Sequence, residues 1–275
     1  MKIKLIGLDL DKTTLNNKGH ISKRTKEALE AAAKMGVHVI IATGRSFYSM
    51  PKDVYDIKGL EYTVNSNGAE VRILATGKLI YSNCIDSKAV LSVCDYLKEK
   101  GNMIEVFTDG QAYIQKSEFE AIRDGIKSFR AKEYVLTTRK PVDDIYNFIL
   151  MNNDKIENIN IFFENNKDKK DTYNDLIKLK NVTITSSMPD NLEIGGGNTS
   201  KASALQHLAD FLDVQKDAIM CCGDSPNDKA MLMLAGTAVA VANAADEIKD
   251  VANYFTDSND KDGVAKAIED LVLKN

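Results

Sequence analysis

Short apolar runs alternate with helical hydrophobic periodicity at the start of the chain. Residues 3–8 are mostly apolar and end at an acidic cluster, which predicts a buried strand. A helical pattern follows, with Ser22 as its N-cap and Gly36 as its stop signal. Residues 37–42 predict a second buried strand, and residues 43–45 lead into another helix. Strands that are apolar along their whole length indicate a parallel sheet covered by helices on both faces.

The end of the chain repeats this alternation, whereas the middle differs. Strands are predicted over 218–223, 238–242 and near 251–257, and helices over 200–212, 228–236, 244–252 and 262–273. Two hairpins are predicted, with turns at 76–77 and 109–110. We therefore expect an α/β protein with a parallel-sheet, Rossmann-like core formed by residues 1–82 and 191–275. Residues 83–190 are expected to form an inserted α+β cap.

Composition and charge limit the classes of partner. The 275 residues are 44% hydrophobic and 28% charged, and the formal net charge is −4. A mildly acidic chain argues against a nucleic-acid partner, because such proteins usually present a basic face. No apolar run reaches the ~18 residues of a membrane span, and no secretory signal pattern is present. We expect a cytoplasmic monomer or weak dimer with no nucleic-acid or membrane partner. Its cysteines lack C-x-x-C spacing and predict buried, reduced thiols at Cys84, Cys94, Cys221 and Cys222.

Two carboxylates, Asp9 and Asp11, follow directly on the first predicted strand. In an open parallel sheet, the carboxyl ends of the strands face the crevice where ligands bind. Carboxylates this close together repel each other unless a cation or a shared proton relieves them. A solvated turn would account for this pair equally well, so the pair alone does not identify a site.

Three further features occupy similar positions along the chain. Thr43 and Gly44 follow the second strand, where a hydroxyl and backbone amides suit a phosphate, although a plain N-cap has the same sequence. Lys201 begins a helix, where a cation opposes the helix dipole, and such local conflicts are expected at functional sites. Residues 223–228 form a good helix start, with Ser225 as N-cap and Pro226 after it. That interpretation leaves Asp224, a third carboxylate at a strand end, unexplained.

Together and in this order, these features resemble the four motifs of the haloacid dehalogenase superfamily. The insertion and the segments GDSPND, AGTAVAVANA and SNDKDGVA are similar to those of its Cof-type phosphatases, which carry a type IIB cap. The resemblance covers nearly the whole chain and is specific to the family but not to a substrate. It implies a Mg²⁺-dependent phosphatase acting on a small phosphorylated metabolite, and a sugar phosphate is the expected substrate.

The resemblance also implies a role for each motif residue. Asp9 would be the nucleophile that forms an aspartyl-phosphate, and Asp11 the general acid and base. The phosphoryl oxygens would be held by the groups of Thr43, Gly44 and Lys201, with Asn227 near the phosphate. Mg²⁺ would be held by Asp9, the Asp11 carbonyl and Asp224, with Asp228 supporting from its periphery. This allocation is physically reasonable, because a carboxylate approaches a phosphate dianion only when positive charge offsets the repulsion.

The chain departs from the family pattern at Lys12, where glycine is usual, and at Thr14, which replaces an apolar residue. If position 12 requires a positive φ, lysine there carries strain of about 1–3 kcal/mol. The departure leaves all four motifs intact, so it affects the expected rate and specificity more than the reaction class.

Two other functions stay open at this point. A phosphomutase of the same fold would use the same residues, and a non-catalytic phospho-ligand sensor would keep the carboxylates. The sensor has no need of a cap of about 100 residues. An ion-pumping ATPase is excluded because position 14 is not glycine and membrane segments are missing from the pattern. A true dehalogenase would have no use for Asp11 or Asp224.

Overall fold

The computed structural model describes residues 2–128 and 130–274, and the chain divides into two units. The first unit contains the chain through Gly44, Met50–Tyr81 and the chain from Ser200 onward, and the second contains Arg45–Ser49 and Ser82–Thr199. The strands are β1 (Leu5–Leu8), β2 (His38–Ala42), β3 (Leu60–Asn65), β4 (Glu70–Ile73), β5 (Leu79–Ser82), β6 (Ile104–Thr108), β7 (Gln111–Gln115), β8 (Arg139–Val142), β9 (Ile156–Phe162), β10 (Val182–Thr185), β11 (Asn191–Gly196), β12 (Ile219–Gly223), β13 (Thr237–Ala240) and β14 (Tyr254–Phe255). The helices are α1 (Lys23–Lys34), α2 (Lys52–Tyr55), α3 (Ser87–Lys100), α4 (Lys116–Arg123), α5 (Lys132–Thr138), α6 (Ile145–Met151), α7 (Asn166–Leu176), α8 (Lys201–Phe211), α9 (Lys229–Leu234), α10 (Asp246–Lys249) and α11 (Gly263–Ile268).

The first unit is built on a mostly parallel sheet. Its strands lie in the order β14, β13, β12, β1, β2, β3, β4, β5. Neighbours from β14 to β3 are parallel, and β4 runs antiparallel to β3. On one face, Leu5, Ile40 and Val64 pack in the same cluster as Leu205 and Leu208 of α8. The predicted α/β class with a parallel-sheet core is confirmed, and the carboxyl ends of β1, β2, β3 and β12 meet at one edge.

The second unit contains a separate, largely antiparallel sheet with the strand order β10, β11, β9, β6, β7, β8. Its members pair antiparallel except for β7 and β8, which are parallel. Helices α3 and α6 cover one face, where Val93 and Ile149 join Val106 and Ile159 in an apolar cluster. This sheet and its helices correspond to the inserted α+β cap that the sequence predicted.

The other face of the second sheet carries buried polar side chains. Glu105 stands opposite Asn160, which in turn stands opposite Glu193. Arg139 donates two hydrogen bonds to the Glu105 carboxylate, at 2.6 and 2.8 Å. Burial alone would raise the pKa of Glu105, but the charge of Arg139 holds this pKa below its ordinary value. The pair therefore remains ionised within the sheet at neutral pH.

The boundaries of the second unit differ from those expected. Residues 191–199 were expected in the core, but β11 pairs with β9 and β10 and so belongs to the second sheet. Residues 45–49 were also expected in the core, but the Tyr48 amide donates to the Gly110 carbonyl at 2.9 Å. Strand pairing over such sequence separations is not visible in local hydrophobic patterns.

The prediction of a helix directly after Thr43 and Gly44 is wrong. The chain bends there and forms a 3₁₀ turn at Phe47–Ser49, and α2 begins only after Pro51. The Arg45 guanidinium lies 4.7 Å from the centre of the Tyr134 ring, a tertiary contact that local sequence patterns do not show.

Several local predictions are confirmed. The Ser22 side chain accepts a hydrogen bond from the Thr25 amide and caps α1. The hairpin of β6 and β7 turns at Asp109 and Gly110, both of which have a positive φ. Among the described residues, we find no helix with the length and apolar character that a membrane crossing requires.

Candidate active site

Asp9 directly follows β1 and lies at the edge of the sheet where the parallel strands end. Asp9 is 5% exposed, and its Oδ1 accepts a hydrogen bond of 2.6 Å from Lys201 Nζ. Burial and the neighbouring Asp228 raise the pKa of Asp9 well above its usual range, and Lys201 opposes that shift. This ion pair brings the first and third predicted motifs into direct contact.

Lys201 is 1% exposed and is the centre of the charged cluster. Its Nζ also donates to Asp228 Oδ1 at 2.7 Å. Burial alone would lower the pKa of Lys201, but the charges of Asp228 and Asp9 raise it above its ordinary value. A buried ammonium between two carboxylates therefore stays charged, and the predicted conflict with the helix dipole is compensated.

Asp224 follows β12 and is held by two hydroxyl groups. Thr13 Oγ1 donates to Asp224 Oδ1 at 3.0 Å, and Ser225 Oγ donates to Oδ2 at 2.8 Å. Burial and the charge of Asp228 raise the pKa of Asp224. Asp224 thus shares with Asp9 an electrostatic environment that disfavours its charged form.

The carboxylate groups of Asp9, Asp224 and Asp228 form a candidate metal centre. Each offers a ligand atom, and these atoms all lie within 4.8 Å of one another. Oxygen donors of this type fit Mg²⁺, and a divalent cation would offset the burial and the charge crowding that raise the pKa of Asp9 and Asp224. The Asp11 carboxylate is not part of this group, so the predicted contribution of Asp11 to a metal would have to come from its backbone carbonyl.

Asp228 is more heavily hydrogen-bonded than the other two carboxylates. Its side chain is fully buried, and while Oδ1 accepts from Lys201, Oδ2 accepts from the amides of Asp224 and Ser225 at 3.0 and 3.1 Å. Because one of its oxygens accepts from the Lys201 ammonium and the other from two backbone amides, Asp228 is better suited to orienting the loop and Lys201 than to binding a metal directly.

The loop after Asp9 holds Asp11 at the surface. Asp11 is exposed, and Lys12 adopts φ 60° and ψ 4°, the left-handed conformation in which glycine is usual. The side-chain amide of Asn243 donates to the Lys12 carbonyl at 2.8 Å, and Thr14 Oγ1 donates to the Asp9 carbonyl at 2.6 Å. These contacts hold a turn that costs about 1–3 kcal/mol for a residue with a side chain.

Thr43 and Gly44 follow β2, and Thr43 is buried. The Thr43 amide donates to the Val64 carbonyl at 2.8 Å. Asn227 lies in the loop after β12, and its Nδ2 donates to Asn67 Oδ1 at 3.1 Å. The same Asn67 side chain lies against Gly44. The predicted phosphate-binding residues are therefore linked through a residue that the sequence analysis did not identify.

The sequence analysis also missed Thr13 and Asn243, and it named Thr14 only as a departure from the family pattern. Each of the three supports the site through a hydrogen bond. Only Asn67 had a usable signal, since Ser66-Asn67-Gly68 directly follows the third strand and is typical of a turn.

The cysteines next to the site are poor nucleophiles. Cys221 and Cys222 are fully buried in β12, and burial raises the pKa of both thiols. Cys94 is also buried, whereas Cys84 is only half-buried, and none of the four thiols forms a disulfide. The predicted burial thus applies to three of them.

Comparison with known proteins assigns this site to a family. The family model described as haloacid dehalogenase-like hydrolase matches residues 6–268. The chain belongs to this family. The resemblance inferred from the motifs to its Cof-type phosphatases is confirmed.

Several relatives of this haloacid dehalogenase-like hydrolase are named phosphatases. It is 29% identical to the phosphatase YwpJ of Bacillus subtilis, over 98% of this chain and 100% of that protein. It is 32% identical to the 5-amino-6-(5-phospho-D-ribitylamino)uracil phosphatase YwtE of the same organism, over 98% of each chain. A haloacid dehalogenase-like hydrolase from B. subtilis has a related structure, with a TM-score of 0.85, 27% identity and coverage of 98% and 100%. The prediction of a phosphoric monoester hydrolase is confirmed.

Proposed function

We propose that this protein is a Mg²⁺-dependent phosphatase that hydrolyses a small phosphorylated metabolite through an aspartyl-phosphate on Asp9. The observation that carries the proposal is the buried contact between Asp9 and Lys201, with Asp224 beside it. A lone buried carboxylate would protonate and lose its nucleophilicity. The ammonium of Lys201 favours the charged form of Asp9 and offsets repulsion from an incoming phosphate.

In the first half-reaction, a carboxylate oxygen of Asp9 attacks phosphorus as the bond to the leaving oxygen breaks. Asp11 donates its proton to that oxygen, which departs as an alcohol. Exposure of Asp11 suits this role, because the carboxyl must reach a group on the substrate and then a water molecule. In the second half-reaction, Asp11 takes a proton from water as the water oxygen attacks phosphorus. The bond between phosphorus and the Asp9 oxygen then breaks, which releases inorganic phosphate and restores the Asp9 carboxylate.

The remaining motif residues orient the phosphoryl group. Thr43, the Gly44 amide and Lys201 donate hydrogen bonds to its oxygens, and Asn227 lies near it. Asp9, the Asp11 carbonyl and Asp224 hold Mg²⁺, which supplies positive charge against the phosphate when bound. Asp228 fixes Lys201 and the loop that carries Asp224.

For the substrate, we favour a phosphate ester of a sugar or sugar alcohol. The relative YwtE is named for a substrate whose phosphate lies on a ribityl chain, and it is 32% identical to this protein. We assign the choice among such esters to residues 82–199, because the motif residues bind only the phosphoryl group.

The test is a phosphate-release screen over several dozen phosphorylated metabolites, with and without Mg²⁺, using Asp9→Asn as the inactive control. The proposal is supported if the wild type releases phosphate from sugar or sugar-alcohol phosphates in a metal-dependent manner and Asp9→Asn does not. Conversion between phosphate isomers without release would identify a phosphomutase. Binding of phosphate esters without any turnover would identify a sensor.

A further inference from the structure

The turn that follows β3 has an unusual backbone. Ser66, Asn67 and Gly68 are consecutive residues with φ values of 50°, 56° and 101°. Glycine adopts this left-handed region freely and asparagine tolerates it, whereas serine does so at a cost, so Ser66 is held there by its surroundings. Both side chains are buried, with 0% and 6% exposure. A strained and buried turn at the carboxyl edge of a parallel sheet points to a role in the site rather than to a loose connection.

Asn67 makes a backbone contact that fixes the peptide between Thr43 and Gly44. The Asn67 amide donates to the Thr43 carbonyl at 3.1 Å. In a planar trans peptide, the carbonyl and the amide N–H point in opposite directions. Because the Thr43 carbonyl points at the turn, the N–H of Gly44 points away from it. The turn therefore sets the direction of the backbone donor that we assign to the phosphoryl group.

The Asn67 side chain makes a second, independent contact. Its Oδ1 accepts from Asn227 Nδ2 at 3.1 Å, which holds the Asn227 amide against the turn. The same oxygen lies 3.0 Å from the position that a Cβ at Gly44 would occupy. One side chain thus sits between two of the groups assigned to phosphate binding.

Gly68 brings the turn against the start of α8. A Cβ at position 68 would lie 2.0 Å from the Ser200 carbonyl oxygen and 3.1 Å from the Lys201 amide nitrogen. Glycine is therefore required both by the positive φ and by the close backbone approach. The turn therefore contacts Ser200 and Lys201 of the third motif, as well as the Thr43–Gly44 segment of the second motif and Asn227 of the fourth.

We propose that the Ser66–Gly68 turn positions the phosphate-binding groups, with Asn67 as a positioning residue that aims the Gly44 amide and the Asn227 side chain. The inference rests on the proposed phosphatase function and adds a residue outside its four motifs. The backbone contact requires the left-handed conformation, and the side-chain contact requires the amide. Substitutions can separate these two contributions.

The experiment compares Asn67→Gly, which keeps the left-handed backbone, with Asn67→Ala, which also disfavours it. Each is measured with and without Asn227→Ala, using p-nitrophenyl phosphate turnover and inhibition by orthovanadate. Loss of one neutral hydrogen bond is expected to weaken orthovanadate inhibition about three- to tenfold in Asn67→Gly. In the Asn227→Ala background, Asn67→Gly should have almost no further effect, because its partner is already lost. Asn67→Ala should still weaken inhibition there, because it disturbs the Gly44 peptide.

The control is Asn181→Gly, since Asn181 is also left-handed, with φ 59°, but is exposed and lies in the second unit. If Asn67→Ala does not fold, the comparison of Asn67→Gly in the wild-type and Asn227→Ala backgrounds still measures the contribution of the Asn67 side chain. Variants that match Asn181→Gly in orthovanadate inhibition and in KM would overturn the inference, as would additive effects of Asn67→Gly and Asn227→Ala. A wild-type protein without Mg²⁺-dependent phosphate release would instead overturn the proposed function itself.

Discussion

Replacing Lys201 with methionine removes the positive charge between two buried carboxylates. Its Nζ lies 2.6 Å from Asp9 and 2.7 Å from Asp228, and the lysine is 1% exposed. At an effective dielectric constant of about 20, each contact represents about 6 kcal/mol of Coulomb attraction before desolvation. Breaking a buried pair by removing one partner costs about 3–5 kcal/mol, because the remaining charge is uncompensated. We expect a loss of this size in unfolding free energy for Lys201→Met.

This loss should depend on pH. Burial already raises the pKa of Asp9, and without Lys201 it should rise further. A carboxyl group whose pKa is higher in the folded than in the unfolded protein stabilises the fold most when the pH is below its ordinary pKa. That stabilisation is lost as the pH rises through the raised pKa. The deficit of Lys201→Met should therefore be larger near pH 8 than near pH 5. Activity should fall about 10²–10³-fold or more, because Asp9 protonates and the phosphate loses a charged donor.

Urea unfolding followed by circular dichroism, in a chelator and at both pH values, measures the stability effect. Lys266→Met is the matched control, since Lys266 contacts Asp257 at a similar 2.8 Å but both side chains are nearly half exposed. That exposed pair is screened by solvent, so the control should leave activity and stability almost unchanged. If Lys201→Met unfolds like the control at both pH values and keeps activity within tenfold, the charged cluster does not act as described.

Asp9→Asn should abolish turnover and keep a normal circular dichroism spectrum, since asparagine is nearly isosteric but cannot form the acyl-phosphate; activity within tenfold of wild type would exclude Asp9 as nucleophile. Glu105→Gln should cost about 3–5 kcal/mol at neutral pH because it leaves Arg139 buried and unpaired. Because the pKa of Glu105 is lowered in the folded protein, the greater stability of the wild type is present at pH values above the ordinary pKa of 4.5 and is lost as the pH falls below it. The unfolding free energies of the two proteins, measured with urea, should therefore converge in acid. Exchanging residues 82–199 for those of a relative should change the ranking of substrates in the phosphate-release screen and leave its Mg²⁺ dependence unaltered; a folded chimera that keeps the parent's ranking would contradict this.

The sequence predicted the parts of the fold that depend on local chemistry. Continuous apolar strands predicted the parallel sheet, and Asp9 and Asp224 were located because they follow such strands directly. The hairpin at Asp109 and Gly110 was predictable because both residues tolerate a positive φ. Each of these features is determined by residues close together in the chain.

The features that depend on distant contacts were not predictable. The segment after Gly44 was expected to be helical, but its backbone bonds to Gly110 instead. The role of Asn67 depends on Thr43 and Asn227, which lie 24 and 160 positions away in the sequence. Thr13 has no local signal that relates it to Asp224, since the two residues are separated by 211 positions. Local patterns place each strand end but do not show which side chains meet there.

The most direct test of the proposed mechanism is a pre-steady-state burst with the Asp11→Asn variant and p-nitrophenyl phosphate. Nitrophenolate leaves without needing a proton, so the first step should proceed, whereas hydrolysis of the aspartyl-phosphate lacks its base. We expect a burst equal in amount to the enzyme, followed by slow turnover, with a phosphoryl group attached to Asp9 in the quenched protein. On an alkyl phosphate, kcat/KM should fall much further, by about 10²–10⁴-fold. Equal losses on both substrates, with no burst and no phosphorylated Asp9, would contradict the mechanism.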